Sequence, residues 1–181
     1  IEPIYYTKIL DHNGNVLIEK TSAERSVIKE STAWLLTSAM EDVVQKGTGT
    51  ACQLDNMTVA GKTGTTDDYN DLWFVGYTPY YTCAVWSGFD NNEKLPDDYS
   101  RDFHKDMWRK VMTRIHEGLA DQEFQMPSSV EKLSVCADTG LLPRAGCSVI
   151  TEYFDIGDVP TDYCDQHFYE PETVTEYIYD E

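Results

Sequence analysis

The sequence predicts an α+β fold in which an antiparallel sheet is flanked by helices, followed by an irregular cysteine-containing C-terminal tail. Three observations carry this expectation. Apolar strand-like runs follow one another over about 57–65, 72–77 and 81–89, and only Thr78-Pro79-Tyr80 joins the last two. A connection that short permits only an antiparallel pair. Segments with apolar residues at helical spacing bracket these strands, and beyond Pro127 the periodicity fades while cysteines cluster.

Taken in order, residues 4–10 and Val16-Leu17-Ile18 flank Asp11-His12-Asn13-Gly14-Asn15, whose Asn-Gly step predicts a hairpin. Ser31 or Thr32 can cap a helix from about Ala33 to Gln45, with Gly47 as its stop. Leu36, Met40, Val43 and Val44 fall on one side of it, so it reads as half-buried. Gly47-Thr48-Gly49-Thr50 lacks the Gly-Lys-Ser/Thr ending of a phosphate-binding loop and reads as a turn toward the next strand. The near-continuous apolar strands Leu72–Tyr77 and Tyr81–Trp86 predict a sheet covered on both faces, with Trp73 and Trp86 as core aromatics. Phe103, Met107, Val111, Ile115 and Leu119 recur at steps of four and predict an amphipathic helix over 101–119, with His104 and His116 on its surface. Short strands are expected near Leu133–Ala137 and Tyr153–Phe154. A boundary near Pro127 divides the chain into 1–127 and a cysteine-containing acidic extension, 128–181.

The chain has 181 residues, 41% of them hydrophobic and 25% charged, which are globular values. Its net charge of −18 argues against nucleic acid or an anionic membrane surface as partner. Asp155, Asp158, Asp162, Asp165, Glu170, Glu172, Glu176, Asp180 and Glu181 concentrate acid at the end, expected as a solvated terminus. No apolar run approaches the ~20 residues that span a bilayer. Because Ile1 rather than Met opens the chain, it is expected to be a piece of something longer, with any anchor upstream.

Cys136, Cys147 and Cys164 lie in the loop-rich final third, apart from Cys52 and Cys83. Such a segment reads as disulfide-stapled, with at least one of the five thiols left over and the pairing open. Zinc held by Cys136, Cys147, Cys164 and His167 is the competing reading, weakened by the lack of a Cys-x-x-Cys knuckle. No metal and no cofactor is assigned on this basis.

The chemistry concentrates in Val59-Ala60-Gly61-Lys62-Thr63-Gly64-Thr65-Thr66. On a strand, the Lys62 amine can bind a substrate carboxylate and bias proton transfer, while the hydroxyls of Thr63 and Thr65 hydrogen-bond that carboxylate. The Thr65 amide can face an oxyanion, a donor worth ~2.7–4 kcal/mol in other acyl-transfer enzymes. Glycine at 61 and 64 admits a close backbone approach. Lys-Thr-Gly is one of three signatures of serine enzymes that react with β-lactams. Asp138-Thr139-Gly140 also matches an aspartic-protease triplet, but a single copy without flanking apolar strands reads as a turn.

Context makes the Lys-Thr-Gly match specific. Thr32-Ala33-Trp34-Leu35-Leu36, Val43-Val44-Gln45-Lys46-Gly47-Thr48-Gly49, Val59–Thr66, Asp71–Pro79 and Val85-Trp86-Ser87-Gly88-Phe89-Asp90 together resemble the C-terminal half of the transpeptidase domain of penicillin-binding proteins. The opening Ile9–Leu17 and the tail segments Val135–Gly140, Thr151–Phe154 and Pro160–Asp165 resemble the class A, bifunctional members. The resemblance implies a D,D-transpeptidase that cross-links peptidoglycan stem peptides and is trapped by β-lactams. It also implies the penicillin-binding protein/β-lactamase-like fold with helices on both sides of the sheet. Lys62 and Thr65 would be catalytic, and Thr63, Gly64, Thr65 and Thr66 would bind substrate. Partners would be stem peptides, β-lactams and the remainder of the transpeptidase domain. The location would be the extracytoplasmic face of the bacterial plasma membrane, with a glycosyltransferase domain and the anchor upstream.

The sequence departs from the family pattern at the nucleophile. Ser26-Val27-Ile28-Lys29 fits Ser-x-x-Lys, yet it lies only 36 positions before Lys62 and no Ser-x-Asn occurs in the chain. Ser26 is therefore read as an exposed residue, and the chain as one wall of an active site that is inactive alone. Two rival readings are a β-lactamase or D,D-carboxypeptidase relative, and a non-catalytic module whose acidic tail recruits a cell-wall partner.

Overall fold

The computed structural model describes residues 3–167. The terminal run from Glu170 to Glu181, expected to be solvated, lies outside the described residues. Three two- or three-stranded antiparallel sheets and two helices make up the rest. Strands β1 (Lys8–Leu10) and β2 (Val16–Glu19) form the expected hairpin, with Asp11 accepting the Asn13 and Asn15 amides and Gly14 at φ +85°. Only glycine adopts such a φ at no steric cost.

Helix α1 (Glu30–Lys46) is longer at both ends than its apolar periodicity indicates, and Gly47 ends it. Its cap is Lys29 in an extended conformation, with no side-chain cap. The expected capping role of Ser31 is displaced because its hydroxyl donates to Asp155, 124 positions away. Leu36 is exposed, so the half-buried character of α1 rests chiefly on Val44.

A 3-10 turn at Thr50–Cys52 leads into the central sheet, β3 (Ala60–Thr65), β4 (Asp71–Tyr77) and β5 (Thr82–Gly88), in the order β3-β4-β5. Helix α1 packs on β3, and α2 (Phe103–Ile115) packs on β4 and β5. Val44, Cys52, Val59, Phe74, Trp108 and Met112 form the core between them. The Phe74 and Trp108 rings meet edge to face at 5.0 Å.

Two expectations about this layer fail. Among the described residues the sheet is covered on one face only: Leu72 and Phe74 are buried, while Trp73 and Trp86 on the opposite face are 42% and 40% exposed. The two indoles lie with centroids 6.2 Å apart and planes tilted by 35°, on an open surface instead of in the core. Helix α2 is also turned from the expected phase. His104, Trp108 and Met112 face the core, and Phe103, Met107, Val111 and Ile115 face outward. His104 and His116 are accordingly buried, at 2% and 9% exposure. His116 hydrogen-bonds the Met112 carbonyl through Nδ1 (2.7 Å) and the Thr78 hydroxyl through Nε2 (2.8 Å). Burial, and secondarily the Lys105 charge, lowers the His104 pKa.

Beyond Pro127, β6 (Val130–Cys136) and β7 (Val149–Asp155) form a hairpin of seven-residue strands, longer than the two short segments expected. Its last strand lies against α1, where Tyr153 meets Trp34 edge to face at 4.8 Å. The five cysteines are free, so the disulfide reading does not hold in this structure. Asp138-Thr139-Gly140 is a turn, as expected, with the Gly140 amide on the Cys136 carbonyl and Gly140 at φ +71°.

Candidate functional site: the free edge of the central sheet

Strand β3 is the edge strand of its sheet, paired with β4 alone. Its register sets what the edge displays. The Thr66 amide donates to the Asp71 carbonyl at 3.2 Å, so this opposed pair is a hydrogen-bonded one. Antiparallel pairs alternate, so the N–H and C=O groups of Thr65, Thr63 and Gly61 point away from β4, to the unpaired edge. The Thr65 amide is therefore an available outward donor. The Lys62 amine reaches the same edge, with Nζ donating to the Thr63 carbonyl at 3.1 Å and lying 3.5 Å from the Thr63 hydroxyl.

Side chains divide between the two faces. Lys62 opposes Val75 and Gly64 opposes Trp73, so both belong to the open face; Thr63 and Thr65 oppose Phe74 and Leu72, on the helix-covered face. The strand thus does not present its lysine and hydroxyls as one row. At the rim of the covered face the Thr63 hydroxyl meets that of Thr48 at 2.9 Å. Thr48 belongs to the Gly47–Thr50 loop and has no chemical role in the sequence reading. The signal available was its place in the Gly-Thr-Gly segment ahead of β3. Thr66 accepts the Asn70 and Asp71 amides at 3.0 and 2.9 Å, which ties its oxygen to the β3–β4 turn and leaves the hydroxyl proton to donate.

The two glycines differ as well. A Cβ on Gly61 would lie 2.6 Å from Phe74 Cζ, so this glycine makes room for a core ring instead of for a ligand. Gly64 lies on the open face, where a Cβ would stand 3.2 Å from Trp73 Cβ and nothing from outside the sheet approaches.

No serine of the expected motif joins this group. Ser26 is exposed, donates to the Ile28 carbonyl and precedes the first turn of α1, and Lys29 is the extended cap. A Ser-x-x-Lys pair needs a helix to bring positions three apart onto one side. A second run of that spacing, Ser129-Val130-Glu131-Lys132, escaped the sequence reading. It enters β6, where residues three apart point to opposite faces.

Residues 2–113 match the family described as the penicillin-binding protein transpeptidase domain, and residues 126–169 match the penicillin-binding protein 1A C-terminal domain. Penicillin-binding protein 1A of Clostridium perfringens is 34% identical over 170 residues, 90% of this chain and 20% of that protein. Penicillin-binding protein 1A/1B of Bacillus subtilis is 32% identical over 178 residues, covering 87% of this chain and 19% of that protein. The chain therefore spans about a fifth of the length of these relatives. The crystal structure of penicillin-binding protein 1A from Haemophilus influenzae superposes with a TM-score of 0.67 at 21% identity, over 90% of this chain and 30% of that one. At that identity the likeness is one of fold.

Proposed function

This chain belongs to the penicillin-binding protein transpeptidase family, of the 1A type, and from that premise we propose that it is the C-terminal wall of a peptidoglycan D,D-transpeptidase site whose nucleophilic serine lies outside these residues. The observation that carries the proposal is the edge of β3, which displays both the Lys62 amine, on the Thr63 carbonyl, and the outward Thr65 amide. In the reaction, a serine oxygen attacks the carbonyl carbon of the terminal D-Ala-D-Ala bond. The Thr65 N–H supports the oxygen that becomes negative. Collapse breaks the C–N bond, the amine takes up a proton and D-alanine leaves. An acceptor amine then attacks the ester, restoring the serine hydroxyl and forming the cross-link. Lys62 holds the substrate carboxylate and biases the proton movements, with the Thr63 and Thr65 hydroxyls as further carboxylate donors. Thr48 positions Thr63, and Thr66 shapes the turn that ends the strand. β-Lactams enter the same route and stop at the ester.

The open face of the sheet supports the same reading. Trp73, Val75 and Trp86 form an apolar surface beside Lys62 that is exposed within this chain. We assign it to contact with the remainder of the transpeptidase domain, on the extracytoplasmic side of the membrane; no described helix here is long and apolar enough to cross one. A β-lactamase or carboxypeptidase relative is disfavoured by the match of 126–169 to the 1A C-terminal domain. The test is Lys62→Ala in the longer protein. Acylation by a fluorescent penicillin is expected to slow by ~10²–10⁴-fold, the range of a lost proton-transfer group, with an unchanged circular dichroism spectrum. An unchanged acylation rate would contradict the role given to Lys62.

A further inference from the structure

Cys136 ends β6, Cys147 precedes β7, and Cys164 and His167 lie beyond the Leu142–Tyr163 bridge. The two ends of the β6–β7 connection and the segment after β7 thus deliver three sulfurs and an imidazole to one point. Their ligand atoms all lie within 4.8 Å of one another. His167 Nδ1 is 3.4 Å from both the Cys136 and the Cys164 sulfur. Tetrahedral zinc, with Zn–S of ~2.3 Å and Zn–N of ~2.0 Å, sets its ligand atoms about 3.5–3.8 Å apart. The two imidazole–sulfur separations already sit close to this, and the 4.8 Å bound leaves every other pair within about 1 Å of it.

The surroundings fit a cation better than a disulfide. The other ring nitrogen of His167, Nε2, lies 3.4 Å from an Asp138 carboxylate oxygen. A carboxylate behind a histidine fixes the tautomer that leaves Nδ1 free to ligate. The Arg144 amide donates to the Cys147 sulfur at 3.3 Å, as suits a thiolate. Three thiols form at most one disulfide among themselves, which would leave the third sulfur and the imidazole crowded against it. Cys136 and Cys164 are fully buried, so neither sulfur has solvent as an alternative partner.

We propose that Cys136, Cys147, Cys164 and His167 form a zinc site that ties the end of β6, the start of β7 and the following chain together. Four protein ligands leave no open position, so the role is structural. The Asp138-Thr139-Gly140 turn, which has no part in acyl transfer, acquires one here: it carries the carboxylate behind His167.

The test uses the full chain, produced with zinc under reducing conditions and dialysed. Elemental analysis is expected to find one zinc per chain, released when the thiols are modified with p-hydroxymercuribenzoate. Replacement by Co²⁺ should give the visible absorption of a tetrahedral thiolate complex. Cys164→Ser and His167→Ala should each lower retained zinc at least tenfold, whereas His167→Cys, which restores four ligands, should keep it; this separates a lost ligand from a lost fold. Cys52→Ser should leave the metal in place. A folded wild-type chain with no zinc, or with a disulfide among these three cysteines after purification in zinc, would overturn the proposal. So would retention of zinc by the Cys164→Ser and His167→Ala variants.

Discussion

Lys62 and Gly61 are adjacent, yet they belong to opposite faces of β3 and are constrained by different physics. Lys62 is exposed beside the strand edge, and its replacement should alter chemistry with little effect on the fold. Gly61 is buried under Phe74, and a methyl group there meets the ring and the Val75 carbonyl oxygen. Gly61→Ala is therefore expected to destabilise the chain by ~1–3 kcal/mol, the usual cost of overpacking a core, measured by urea denaturation. A midpoint equal to wild type would show that the Phe74 ring can move aside. The identity of these glycines was legible in the sequence, but their reasons were not. Strand alternation separates a glycine that admits a ligand from one that admits a ring, and that depends on register.

At the scale of elements, the strands and both helices are where apolar runs and turn residues put them, and the errors concern facing. Helix α2 carries two rows at steps of four: Phe103, Met107, Val111, Ile115 and His104, Trp108, Met112, His116. Hydropathy favours the first row because histidine reads as polar. The fold buries the second because Trp108 fills the space beside Phe74, gives its indole N–H to the Cys83 carbonyl at 2.9 Å, and leaves His116 partnered on both nitrogens. The two-sided apolar pattern of β4 was real, but only one side is satisfied among the described residues. The hairpin β6–β7 is held to α1 partly by the Ser31–Asp155 bond. The Ser31 hydroxyl, then the Gly157 amide, hold the Asp155 carboxyl below its ordinary range. A carboxyl with a depressed folded pKa stabilises fully above its unfolded value of ~3.9 and loses that contribution as pH falls through the folded value. Asp155→Asn is expected to lower amide-exchange protection in β7 at neutral pH and to flatten the acid limb of its pH dependence. Unchanged protection at pH 7 would mean that the Trp34–Tyr153 contact alone holds the hairpin.

For the whole molecule, the exposed indoles, the outward apolar row of α2 and the unpaired edge of β3 describe a body with surfaces that the described residues do not finish. A family match over 2–113 and about a fifth of the length of its relatives are in keeping with that. The site was legible as a motif because Lys-Thr-Gly is local. The four donors of the tail were visible in sequence but unconvincing, since their spacing lacks a knuckle and only the topology brings them together. In the proposed site this chain supplies the substrate-gripping edge while the attacking serine lies elsewhere. Peptide mapping of the longer protein after reaction with a penicillin locates that serine. The penicilloyl group is predicted on a serine outside these 181 residues; a penicilloyl group on Ser26, Ser129 or any other serine of this chain would show instead that the chain carries its own nucleophile.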